Sequence, residues 1–360
     1  MSFSFGENLK ITLFGQSHSA AIGVVIDGLP PGETIDLDEA GAFLARRAPG
    51  NSPLTTSRKE ADRPVILSGL VGQKTCGAPL AAMIENADTR PDDYSELIDI
   101  PRPSHADYPA FQKYQGFNDV RGGGHFSGRM TAPLCFAGAV AMQILRKRGV
   151  TVGAHIASIG GIGDVPFDPV SVDEETIRAV QKRPFPVIDE EIGEAMKREI
   201  LAAAGASDSV GGTIECCALG LPCGLGDPIF DGLESRLALV LFGIPAIKGV
   251  DFGAGFDAAR MRGSEHNDPF YFDNGLVKTR TNHHGGILGG ISTGMPLLLR
   301  TTVKPTPSIA LPQQSVSLSK GCDTTLLIKG RHDPCIVLRA VPCVEAAVAT
   351  VILDKMLYTK

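Results

Sequence analysis

Tryptophan is absent from this 360-residue chain, and aromatic residues make up only 6% of it. That argues against the aromatic stacking surfaces on which single-stranded nucleic acid is held. An excess of positive charge is lacking too. The formal net charge is −6, which argues against general polyanion binding. No uninterrupted apolar run reaches the roughly 18 residues of a membrane-spanning helix. The segment Met1–Lys10 is polar and lacks a signal-peptide core, so a cytoplasmic location is expected. None of the eight cysteines belongs to a Cys-x-x-Cys pair. They are expected to be reduced and largely buried, with no metal bound. There is no G-x-x-x-x-G-K-[ST] loop. Gly253–Ala258 fits only the loose pattern G-x-G-x-x-A, with Pro245 just upstream and no βαβ unit around it.

What the chain does have is glycine, and arginine and histidine gathered beside it. The densest stretch is Arg121-Gly-Gly-Gly-His125-Phe-Ser127-Gly-Arg129. Three consecutive glycines are costly to order and have no side chain to bury, so they suit a place where backbone approaches something closely. Bare N–H groups, guanidinium forks and a hydroxyl fit an anionic, oxygen-rich ligand. The Ala- and Leu-rich residues Met130–Arg148 predict a helix stopped by Gly149, so the glycine run feeds a helix N-terminus.

Strands are predicted at Leu9–Phe14 and Ala21–Asp27. His18 sits on the tight connection between them, either capping the turn or presented to a ligand. Asp36 and Glu39 open a helix that runs to about Arg47. Arg46 and Arg47 at its end complement the helix dipole. Paired strands follow at Val65–Leu70 and Ala78–Glu85. Nothing local buries His105, which suits a ligand role. Val150–Ile159 and Gly211–Leu219 read as strands, and the charged stretch at about 165–210 reads as a peripheral helical insertion in an otherwise single domain. The order strand, Gly-Leu-Pro turn, helix occurs twice, at Leu29 and at Leu221, 192 residues apart, and points to an internal duplication. In Asn282–Gly290, if the backbone is extended, His283 and His284 point to opposite sides and do not share a metal. Lys304-Pro305-Thr306-Pro307-Ser308 offers a cation and hydroxyls to a phosphate, or else makes a stiff surface turn. Asp333 precedes a proline close to a cation. A strand at Thr324–Ile328 and a buried helix from Pro342 to about Leu357 complete the chain.

Taken together, Phe14–His18, Arg46–Gly50, Arg102–Tyr108, Arg121–Arg129, Gly285–Gly294, Lys304–Ser308 and Gly330–Pro334 resemble the motifs of the chorismate synthase family, in order and spacing, over nearly the whole chain. The resemblance implies an α+β fold: a β-α-β sandwich with helices between two mainly antiparallel sheets and an internal pseudo-two-fold duplication. It implies a homotetramer and a phosphorylated small-molecule substrate. The implied reaction is the anti 1,4-elimination of phosphate from 5-enolpyruvylshikimate 3-phosphate, giving chorismate in aromatic amino acid biosynthesis. The family needs reduced FMN, with NADPH or a separate flavin reductase as the source of electrons. By position, His18, His105 and Asp333 are the catalytic residues. Arg46, Arg47, Arg102, Arg129 and Arg339 hold substrate anions, and Arg47 is also an NADP contact. His125, Ser127, Ala246, Gly289, Lys304, Pro305, Thr306, Pro307, Ser308 and Arg331 hold the flavin. Departures from the family pattern fall at Gln16, Ser19, Pro53, His125-Phe126 and Pro245, and spare the three catalytic positions. His125 stands near a missing arginine and partly replaces its charge, in a pH-dependent way. The alternatives are a flavin-dependent lyase of the same fold with another phosphorylated substrate, and an inactive flavin- or anion-binding protein.

Overall fold

A computed structural model describes residues 3–50, 54–55, 60–87, 96–328 and 333–358. The first sheet contains β1 (Ser4–Phe5), β2 (Lys10–Gly15), β3 (Ala21–Asp27), β4 (Val65–Ser68) and, after the short ribbon β5 (Leu70–Val71) and β6 (Lys74–Thr75), β7 (Leu80–Glu85). Its order is β1-β2-β3-β7-β4. The second contains β8 (Thr151–Ile159), β9 (Ile162–Gly163), β10 (Gly212–Leu219), β11 (Ile247–Phe252) and β16 (Leu297–Val303), in the order β11-β16-β10-β8-β9. Every pairing in both sheets is antiparallel. Among the described residues, four hairpins lie outside them: β5 with β6, β12 (Phe270–Asp273) with β13 (Leu276–Thr279), β14 (Ile287–Leu288) with β15 (Ile291–Ser292), and β17 (Gln313–Ser317) with β18 (Cys322–Leu326).

The helices are α1 (Leu37–Arg47), α2 (Asp107–Tyr114), α3 (Thr131–Lys147), α4 (Glu174–Lys182), α5 (Glu190–Gly205), α6 (Leu233–Leu241), the short α7 (Gly263–His266) and α8 (Val337–Tyr358). α3 and α8 pack on each other between the sheets, α3 against β2, β3 and β7, α8 against β8 and β10, with α1 and α6 beside them. Both central helices are apolar nearly all round, as burial from every side requires. Their contact is close because Gly138 has no side chain: a Cβ there would lie 2.2 Å from that of Ala346. From Val337 to Lys355, only Arg339 escapes full burial. α4 and α5 cover the far side of the second sheet, where Ile177 rests on Gly153.

The duplication is visible in the topology. The order β2-β3-β7-β4 recurs as β8-β10-β16-β11, and in each half a helix follows the second strand. The two Gly-Leu-Pro turns play one role. Gly28 (φ +94°) and Gly220 (φ +77°) press on the carbonyl oxygens of Asn8 and Gly149, which a Cβ would meet at 1.9 and 2.0 Å. Only glycine fits there.

Three local expectations are corrected. The last helix starts at Val337 and encloses Pro342, which sits in its second turn and removes only the N–H that would reach the Leu338 carbonyl. The last short strand is Cys322–Leu326, paired with a polar strand at Gln313–Ser317 that carries little apolar pattern. His283 and His284 lie on a turn rather than on extended backbone. Both therefore face one carboxylate, with His283 Nδ1 3.1 Å and His284 Nε2 3.2 Å from Asp268.

Candidate functional site

One cavity of about 590 Å³ opens where loops from both halves meet the N-terminal ends of α3 and α8. His18, His105 and Asp333 all line it, although hundreds of residues separate the first from the last. Arg47, Arg102, Arg129 and Arg339 line it too, with His125, Ser127, Ala246, Lys304, Thr306, Pro307 and Ser308. Pro305 belongs to the same segment but is not part of the wall. Arg46 turns away from the cavity to Glu345, with N–O distances of 2.5 and 3.2 Å. Gly289 lies in the turn between β14 and β15, apart from the cavity. Arg331 and Pro53 lie outside the described residues.

The glycine run forms the seat of both histidines. Gly122, Gly123 and Gly124 all have positive φ, at +58°, +82° and +54°. A Cβ on Gly122 would lie 2.4 Å from the His18 ring, and one on Gly123 would lie 3.2 Å from Nε2 of His105. The Ser17 N–H donates to the Gly124 carbonyl at 3.1 Å, tying the β2–β3 turn to the run. The run then turns into α3, and the Ser127 hydroxyl accepts from the Arg129 N–H at 3.2 Å.

His105 is held by its own loop. Its Nδ1 lies 2.5 Å from Asp107 Oδ1. The Arg102 guanidinium donates to the same carboxylate at 2.8 and 2.9 Å, and reaches Ser308 at 3.2 Å. Burial alone would raise the Asp107 carboxyl, but hydrogen bonds from Arg102 and His105 outweigh it and hold the group far below the usual carboxylate range. Ser104, beside His105, has φ +57°, the kind of backbone strain found where a side chain must be aimed. Ala246, at φ +75° in the opposite wall, is another such case, and its carbonyl accepts from the Lys304 N–H at 3.0 Å.

The arginines are arranged around few anions. Asp62, also at positive φ, bridges Arg47 and Arg129 with one oxygen to each. Arg339 donates to Asp333 at 2.7 Å and to the Arg47 carbonyl at 3.0 Å. Burial pulls the Arg129 and Arg339 guanidiniums down, with Asp62 and Asp333 opposing. Burial and neighbouring Lys248 pull Lys304 down in the same way. Around the wall stand six cationic side chains (Arg47, Arg102, Arg129, Lys248, Lys304, Arg339), against two carboxylates in the wall (Glu60, Asp333) and two behind it (Asp62, Asp107). In a chain of net charge −6, that local excess is a site built for a multiply anionic ligand. Among the described residues, the Thr306 hydroxyl is buried in this wall with no hydrogen-bond partner, next to Lys304. A buried hydroxyl beside an under-compensated ammonium fits a phosphate.

His125 does not supply the missing charge. Its ring meets Phe3 and Tyr114 edge-on at 5.5 and 5.4 Å between centroids and lies 4.2 Å from the Phe126 ring. Burial there lowers its pKa, so the neutral form is favoured. Sequence reasoning passed over Asp107, although it stood inside a quoted motif. It also passed over Asp62, which belongs to none of the quoted motifs. Cys343, Lys248 and the Phe242–Ile244 stretch also line the cavity and gave no sign of it.

Comparison with known proteins gives one answer throughout. The family model described as chorismate synthase matches residues 9–357. A chorismate synthase of Thermococcus gammatolerans is 47% identical over 355 residues, covering 99% of this chain and 98% of that protein. One of Methanocella arvoryzae is 49% identical, covering 98% and 94%. A crystal structure of chorismate synthase superposes with a TM-score of 0.77 at 26% identity, covering 98% of this chain and 93% of that one.

Proposed function

The chain belongs to the chorismate synthase family, and on that premise we propose that it converts 5-enolpyruvylshikimate 3-phosphate to chorismate in the cytoplasm, by anti 1,4-elimination of phosphate with reduced FMN bound. The observation that carries the reading is the meeting of His18, His105 and Asp333 in one arginine-rich cavity. The substrate has two carboxylates and a phosphate, and the flavin adds another phosphate. Six cations against four carboxylates, two of them behind the wall, leave an excess of positive charge that suits that load.

Within this reading, Arg47, Arg102, Arg129 and Arg339 hold the substrate anions. Lys304, Thr306 and Ser308, with the backbone around Ala246 and Ser127, hold the flavin. Bound reduced FMN would supply electron density to the reacting ring. His105, oriented at Nδ1 by Asp107, keeps Nε2 toward the glycine run and delivers a proton to the departing phosphate. His18, seated against Gly122, holds a proton at the flavin side of the cavity. Asp333, paired with Arg339, accepts the ring proton. Arg46 is committed to Glu345 and acts from behind the wall. Arg47 is also the proposed NADPH contact.

A homotetramer is the assembly implied for this chain. Phe230, Phe256, Phe270 and Phe272 are 93%, 79%, 66% and 81% exposed, and surfaces of that kind are normally covered. Light scattering during size exclusion reads the assembly.

The test of the activity is an anaerobic assay of chorismate and phosphate release. One arm uses chemically reduced FMN, a second NADPH with oxidised FMN, and a third no flavin. Chorismate in the first arm and none in the third is expected. Turnover without flavin, or no phosphate release in the arm with reduced FMN, would overturn the reading. The second outcome would favour another phosphorylated substrate, which the aromatic packing of His125 and Phe126 leaves as the second reading.

A further inference from the structure

Five of the eight cysteines are buried and three are exposed. Two of the buried ones meet. Cys135 on α3 and Cys343 on α8 have their sulfurs 3.7 Å apart. Both are free thiols. The approach follows from the helix packing described above: Gly138 and Ala346 are each three residues further along the same helices, at the point of closest contact. The two thiols are not equivalent. Cys343 lines the cavity, whereas Cys135 is wholly inside the protein. The Cys343 thiol also donates to the Arg339 carbonyl at 3.3 Å.

We propose that Cys135 and Cys343 are an oxidisable thiol pair in the cavity wall, with small hydroperoxides as the co-reactant. Cys343 attacks a peroxide oxygen; the O–O bond breaks, and the alcohol or water leaves with the proton. Cys343 is thereby oxidised to the sulfenic acid. The Cys135 thiol then attacks that sulfur; the S–O bond breaks, water leaves, and a disulfide joins α3 to α8. In total, two thiols and one hydroperoxide give one disulfide, one alcohol (or water) and one water.

The surroundings assign the roles. The hydrogen bond from Cys135 lowers the pKa of the Cys343 thiol, with Arg47, Thr131 and Arg339 helping, while burial raises that of Cys135. The thiol that opens on the cavity is therefore the better nucleophile, and the enclosed one resolves. Cys216 and Cys217 are also buried, but neighbouring strand residues point to opposite faces and cannot pair in this way. The inference does not depend on the reaction proposed above.

Full-length protein, kept reduced and then treated with hydrogen peroxide, is quenched with N-ethylmaleimide in denaturant and digested without reductant. The expected product is a cross-linked pair of peptides containing Cys135 and Cys343, with two fewer alkylated thiols, reversed by dithiothreitol. Inorganic phosphate at saturating concentration should slow its formation several-fold by filling the cavity. In Cys135→Ser protein, Cys343 should instead be trapped as a dimedone adduct. The wild-type digest stands even where that variant fails to fold. Oxidation of exposed Cys76, Cys223 and Cys322 while Cys135 and Cys343 stay reduced would overturn the proposal. So would linkage at a rate indifferent to phosphate, because the peroxide would then not enter through this cavity.

Discussion

Asp107 lies 2.5 Å from Nδ1 of His105, two residues before it in the chain, and the Arg102 guanidinium holds the same carboxylate. Arg102 and Asp107 are buried and hold the partly exposed His105 ring, so it has a fixed direction before any ligand arrives. An Asp107→Asn variant keeps the shape and removes the charge. A positioned proton donor contributes roughly 10²- to 10⁴-fold to rate, and losing its orienting anion should lower kcat by at least about tenfold. The fall should appear in kcat with KM nearly unchanged, because Arg102 still ties the loop to Ser308. A variant with unchanged kcat would show that Asp107 only braces the loop.

Gly122 tests the seat of His18. Alanine at its φ of +58° carries the backbone cost of a left-handed residue, about 1–2 kcal/mol, and its Cβ would also strike the His18 ring. Gly72 has φ +61° and nothing within 4 Å of a built Cβ. Gly72→Ala should therefore lose only the backbone share of the melting temperature and keep activity, whereas Gly122→Ala should lose more stability and activity with it. Equal activity in the two variants would count against the seat.

Asp62 is the buried anion between Arg47 and Arg129. Its replacement by asparagine leaves two guanidiniums short of a counter-charge, and breaking a buried pair costs about 3–5 kcal/mol. Urea unfolding should show that loss. Inorganic phosphate should restore more stability to the variant than to the parent, because the cavity then lacks an anion it was built with. Equal stabilisation of both proteins would refute this.

His155 has no part in the cavity. It is fully buried between Asp164 and Glu215, at 3.0 and 2.9 Å. Burial lowers its pKa, but hydrogen bonds to Asp164 and Glu215 prevail and raise it. A group raised in the folded state adds stability that is fully present below its unfolded pKa, near 6.5, and is lost as pH climbs through the folded value. Melting temperature should thus decline from mildly acidic to alkaline pH. His155→Asn should be less stable at acidic pH and show a flatter decline. Parallel curves would remove His155 as the cause.

Much of the architecture was legible because it rests on local rules. Apolar runs marked β2, β3, β8 and β10; Asp36 and Gly149 bounded α1 and α3; and the two Gly-Leu-Pro turns revealed a repeat whose strand order the structure then reproduced. Where local signals were weak, reading failed. The polar strand β17 has no apolar rhythm, and Pro342 looked like a helix start because a proline inside a helix is costly. The motifs likewise named most of the cavity wall, since glycine runs flanked by arginine and histidine are unusual in any sequence.

The sequence by itself determined the elements, the duplication and the residue types that meet an anion, because each depends on neighbours within one turn or one strand pair. Only tertiary structure decided which of those residues share a cavity. Arg46 and Arg47 are adjacent in sequence, yet one faces Glu345 and the other Asp62. Consecutive helical side chains diverge by about 100°, and what each meets depends on helices and loops far away in the chain. The same is true of Cys135 and Cys343, which meet because Gly138 lets two central helices close.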